Sequence, residues 1–159
     1  MSGQSDSRAS EVLPAPSMAE SGLIVCVPEA EALVGELRER FDASARIGVP
    51  AHITVLFPFM PSTSIDASVL RAVRTLVGRA RAFEFSLARV GRFPATTYLA
   101  PDPPDPFITL TESLFREFPR FPPFAGAFPT IIPHLTVAHG SATESALAQA
   151  ELLAALASR

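Results

Sequence analysis

The sequence predicts an α+β domain made of two similar halves. Three observations lead there. Short β-branched runs alternate with longer segments of helical spacing. Their order, strand, helix, histidine-containing strand, helix, occurs twice. The 159 residues, 48% of them hydrophobic, suit one core rather than two.

The elements follow from local chemistry. Leu23 to Val27 is a β-branched run ending at Pro28, which reads as a buried strand with Cys26 enclosed and inert. Pro28 suits the first turn of a helix reaching about Phe41, with Glu29 and Glu31 near its positive end. His52 to Phe57 alternates as a strand, and Pro58 closes it. Asp66 is an expected N-cap for a helix to about Arg81, because Val69, Leu70, Val73, Leu76 and Val77 recur at helical spacing. Phe83–Val90 and Thr96–Ala100 read as a hairpin joined through Gly91 to Pro94. A helix from about Asp105 to Phe118 leads into the Phe- and Pro-rich loop 118–133, longer than the ~12–15 residues above which loops are usually functional or disordered. His134 to Ala138 is the last strand and Thr143 to Ala157 the last helix. The second half therefore stops where the first supplies its next strand.

Charge and composition narrow the functional classes. All 13 basic residues are Arg, and 16 acids leave a net charge of −3, which excludes a broad basic surface gripping nucleic acid through counterion release. A single cysteine rules out an intrachain disulfide framework and a Cys-rich zinc site, and together with the missing signal peptide predicts a cytoplasmic location. Residues 1–21, rich in Ser, Ala and Pro, read as a disordered tail ahead of a domain at 22–159. No stretch reaches the ~18 apolar residues of a membrane span.

The chemistry lies in a tetrapeptide that occurs twice, His52-Ile53-Thr54-Val55 and His134-Leu135-Thr136-Val137. From the composition, chance would place Thr and Val at these offsets after two of three histidines only about 6 times in 100,000, so the repeat is not accidental. On a strand, residues i and i+2 share a face ~6.6–6.8 Å apart. Each motif thus projects an imidazole and a hydroxyl together, and an approximate two-fold relation between the halves would bring both pairs to one groove. A phosphodiester needs such a set: one neutral imidazole to take a proton, one protonated imidazole to give one, and hydroxyls to donate to the non-bridging oxygens.

These motifs, with Val90-Gly-Arg-Phe-Pro94 and Thr97-Tyr-Leu-Ala-Pro101 between them, resemble the two-histidine (2H) phosphoesterase superfamily, specifically the bacterial 2'-5' RNA ligase and RNA 2',3'-cyclic phosphodiesterase family. The resemblance covers about Leu23 to Ala157. It implies an internally duplicated, two-lobed fold, lobe one at about 22–92 and lobe two at about 93–159, with antiparallel sheets lining a central groove, helices outside, and lobe two lacking a final strand. It also implies that His52 and His134 are catalytic and that Thr54 and Thr136 bind phosphate. The implied reaction is metal-independent and cofactor-free hydrolysis of a 2',3'-cyclic phosphate, at an RNA 3' end or on a small nucleotide, to a 2'-phosphate. Reversible 2'-5' joining of RNA ends is the related activity. Alternatives are another phosphodiester in the same groove (a cyclic ADP-ribose phosphate, a 2'-5' oligonucleotide or a 3' oligouridine tail) and a catalytically silent RNA-end or nucleotide-binding module.

Other residues are weighed singly. Arg92, Tyr98, Phe121 and Phe124 are candidates for substrate contact, Arg92 for phosphate and the aromatic rings for base stacking. His139 stands at an odd offset from His134, so parity predicts that it faces away from Thr136 at a strand end. That parity and the lack of nearby carboxylates argue against a zinc site. Membrane partners are not expected, and the sequence sets no oligomeric state.

Overall fold

The computed structural model describes residues 20–159. Strand β1 (Leu23–Cys26) leads through a 3-10 turn at Pro28–Ala30 into α1 (Glu31–Phe41) and the short α2 (Ala43–Arg46). Strand β2 (His52–Leu56), α3 (Ala67–Arg79), and the hairpin of β3 (Ser86–Phe93) and β4 (Thr96–Asp102) follow. Then come α4 (Asp105–Glu117), β5 (Leu135–His139) and α5 (Ala142–Ala157). The class is α+β. Most of the expected tail lies outside the described residues, but Ser21 is tied down: its carbonyl accepts from Phe59 N–H at 2.8 Å, and its hydroxyl donates to the Met60 carbonyl at 2.7 Å.

The strands form one antiparallel sheet in the order β1-β2-β5-β4-β3. The two strands that carry the motif threonines meet at a narrow seam, the β2–β5 pairing registered at Ile53↔Leu135. Outward from that seam the order is β2-β1 on one side and β5-β4-β3 on the other, which leaves β1 as an edge. Ile53, Val55, Leu99, Leu135 and Val137 form the buried face, meeting Val34 and Leu37 of α1, Leu114 of α4, and Ala148 and Leu152 of α5. Truncating the isoleucine or any of the leucines among them to Ala costs about 2–5 kcal/mol. A capping box between Ser141 and Glu144 starts α5, and the exposed Arg40–Glu151 pair links α1 to α5.

Two strand features depart from simple alternation. In β5, Tyr98 pairs with Thr136 while Thr97 pairs with Ala138, so Val137 and Ala138 together oppose Thr97. In β2, Ile24 pairs with Thr54 while Leu23 pairs with Leu56, so Val55 and Leu56 together oppose Leu23. Each is a bulge at the same place, directly after the motif threonine, and in both cases the two bulged residues are buried.

The hairpin turn falls at Pro94 and Ala95 rather than at Gly91 to Pro94, because Phe93↔Thr96 closes the ladder. Gly91 stays inside β3, where a Cβ would collide with the Tyr98 ring and lie 2.6 Å from its hydroxyl. Here glycine marks a close approach of side chain to backbone, not a turn. Cys26 also departs from expectation: it is exposed, since β1 is an edge strand and Cys26 pairs with His52, on the uncovered face of the sheet.

Candidate active site

Alternation along β2 turns Ile53 and Val55 into the core and leaves His52 and Thr54 half-buried on the opposite face. Leu135 and Val137 do the same for His134 and Thr136. Stepping one residue each way from Ile53↔Leu135 in an antiparallel ladder sets His52 opposite Thr136, and Thr54 opposite His134. The four side chains form a quartet in which each histidine has a threonine along its own strand and another across the seam. Directly opposed residues have Cβ atoms about 4.5–5.5 Å apart, close enough for one small anion to touch several of them.

Both imidazoles are held the same way. Nδ1 of His52 lies 2.8 Å from the Pro50 carbonyl, and Nδ1 of His134 lies 2.7 Å from the Ile132 carbonyl. A carbonyl only accepts, so Nδ1 carries the hydrogen in each ring and Nε2 is the nitrogen left outside this anchor. His134 sits among aromatic rings, with centroids 5.2 Å from Phe93, 5.3 Å from Tyr98 and 6.3 Å from Phe124. Burial pushes its pKa below the ordinary 6.5; the Ile132 carbonyl partly offsets this, and the charges of His52 and His139 lower it further.

The bulge in β5 corrects the expectation for His139. Because Val137 and Ala138 both turn inward, His139 returns to the face of Thr136, paired with Thr96, whose hydroxyl lies 2.8 Å from its Nδ1. The parity count assumed an unbroken strand. Three histidines thus share this face, though among the described residues no three His, Cys, Asp or Glu side chains gather as a metal-ligand set.

The candidates for substrate contact separate by face. Tyr98 pairs with Thr136 and borders His134. Phe124 lies nearly parallel to the His134 ring, at 19°, held by a turn in which Phe124 (φ 51°) and Ala125 (φ 53°) are left-handed. Its N–H donates to the Phe57 carbonyl, which offsets part of that strain. Phe121 instead packs on Phe59 in the core, centroids 5.3 Å apart. Arg92 pairs with Thr97 and reaches the Ala142 carbonyl at 3.3 Å on α5, so it lies on the helix-covered face, away from the quartet. The arginine of β3 that shares the Tyr98 face is Arg89, an even step from Gly91, and it lines a pocket with Tyr98. The signal that points to it is the Gly91–Tyr98 pairing, which sets Arg89 and Tyr98 on one face.

Fold and site together define an α+β protein whose open sheet face presents two histidines and two threonines. The chain matches the 2'-5' RNA ligase superfamily over residues 26–159 and belongs to it; this is the 2H phosphoesterase superfamily. That superfamily is generally enzymatic, of phosphodiesterase or ligase type. No curated protein and no solved structure matches the chain. No helix among the described residues is long and apolar enough to cross a membrane.

Proposed function

We propose that the protein hydrolyses a 2',3'-cyclic phosphate, at an RNA 3' end or on a nucleotide, to a 2'-phosphate without a metal. The observation that carries this reading is the quartet, with both Nδ1 atoms anchored to carbonyls two residues back. His134, its proton affinity lowered by burial and by its histidine neighbours, is the base. Its Nε2 takes a proton from water as the water oxygen bonds to phosphorus. The bond from phosphorus to the 3' oxygen breaks, and His52 donates a proton from Nε2 to that oxygen. Thr54 and Thr136 donate to the non-bridging oxygens as charge builds there. A protonated His52 also favours a neutral His134, so the two roles support each other. If a 5'-hydroxyl replaces water, the same steps leave a 2'-5' linkage, the joining reaction.

The test is turnover of 2',3'-cyclic nucleotides by the wild type and by His52→Ala and His134→Ala, with circular dichroism to check folding and phosphorus NMR to identify the product. Each substitution removes a proton-transfer group and is expected to cost at least about 10²–10⁴-fold, with EDTA without effect. Full activity in either folded variant refutes the assignment.

A further inference from the structure

Beside the quartet, where β4 runs past the start of β5, lies a pocket of about 280 Å³ that the phosphate chemistry does not use. Its lining includes Arg89, Gly91 and Tyr98 of the hairpin, Ile108 of α4, and Ile132 and Pro133 just ahead of β5. Its walls are mostly apolar or aromatic, and Arg89 is the one charged residue in them. The pocket abuts the proton-transfer site directly: Ile132 supplies the carbonyl that anchors His134, Pro133 precedes that histidine, and the Tyr98 ring lies 5.3 Å from the imidazole. Gly91 makes the pocket's shape possible, since any Cβ there would displace the Tyr98 ring.

We infer that this pocket is a nucleobase subsite with a preference for guanine over adenine. The inference rests on the reading of the quartet as the phosphate site, because only a group carried on the same ribose would be delivered here. Apolar and aromatic walls suit the flat faces of a heterocycle, and one guanidinium in such walls suits its polar edge. The volume lies just below the usual range for small-molecule pockets and suits one base rather than a run of nucleotides. Arg89 has donors and no acceptor. Guanine offers it two adjacent acceptors, O6 and N7, whereas adenine sets a donor amine beside its N7. Arg89 is exposed and in no ion pair among the described residues, while Arg92, three positions on, is engaged by α5.

The test is calorimetric binding of 2'-GMP and 2'-AMP to the full chain and to Arg89→Gln, which needs no turnover. The wild type is expected to bind the guanine nucleotide about tenfold tighter, and Arg89→Gln to bring the two within about twofold. Gly91→Ala, which displaces Tyr98 without touching Arg89, is expected to weaken both nucleotides. Equal affinities in the wild type, an undiminished preference in Arg89→Gln, or no binding of either nucleotide overturns the inference. Hydrolysis of cyclic nucleotides with no purine preference overturns this subsite alone and leaves the reaction standing; activity surviving in His52→Ala overturns the reaction and leaves the binding preference standing.

Discussion

Arg38→Met tests whether the fold holds His52 in place through a buried clamp. Arg38, in α1, is 2% exposed. It donates to Asp42 at 3.2 Å through Nε, and to Ser44 at 3.2 Å and the Val49 carbonyl at 3.0 Å through one terminal nitrogen. Its other terminal nitrogen lies 3.6 Å from Glu31, whose carboxylate accepts from Ala51 N–H at 2.6 Å. Val49 and Ala51 are thereby pinned on either side of Pro50, and the Pro50 carbonyl orients the His52 ring. Methionine fills much of the same space but leaves Asp42, 6% exposed, as a buried charge without its cation. Breaking a buried pair from one side costs about 3–5 kcal/mol. For a domain of this size that lowers the melting temperature by about 10–20 °C. Asp42 also accepts from Ser44 N–H at the start of α2, a cap that asparagine can keep. Arg38→Met/Asp42→Asn is therefore expected to recover part of the loss. Urea unfolding at neutral pH, with the slope compared between variants, measures both. In conditions where Arg38→Met stays folded, the proposed cyclic-phosphate turnover is expected to fall, by up to the about 10²-fold that a 1 Å misplacement brings. A stability loss under about 1 kcal/mol, or a double variant no more stable than the single, refutes the clamp.

Two further outcomes follow from the same geometry. The folded state favours neutral His134, so its contribution to stability is present above the ordinary pKa of 6.5 and is lost as pH falls through the depressed folded value. Urea stability is thus expected to fall between pH 8 and pH 5 more steeply in the wild type than in His134→Asn, and parallel curves refute the shift. Cys26, exposed and paired with His52, is expected to react with a bulky maleimide and block turnover, whereas Cys26→Ser is expected to be immune; rapid labelling with full activity refutes its placement beside the site.

Elements were legible in the sequence wherever one local rule governed them. Asp66 caps α3 as its side chain suggests, accepting from Ser68 and Val69 N–H at 2.9 and 3.0 Å. The strands, too, lie close to where β-branched runs between prolines place them. The misplaced hairpin turn has a long-range cause. Gly91 and the Gly of a turn look alike in sequence, and only the Tyr98 ring folded across β3 distinguishes them. The exposure of Cys26 has a similar cause, since whether a β-branched run is enclosed depends on which strand lies beyond it, and β1 lies at the edge.

The quartet was readable because it depends on i and i+2 alone, a relation no neighbour can alter. Everything one step further depended on register. Past Thr136, the bulge inverts the parity on which the placing of His139 relied, bringing a third imidazole to the face it was expected to leave. In β3, choosing between Arg89 and Arg92 requires knowing that Gly91 and Tyr98 are partners. Both bulges follow the motif threonine, which gives them a physical role beyond irregularity: each turns two consecutive residues into the core directly behind the site, Val55 with Leu56 and Val137 with Ala138. The hydroxyl proposed to face the phosphate is thus backed by a doubled apolar anchor, the rigid support that a preorganised donor requires.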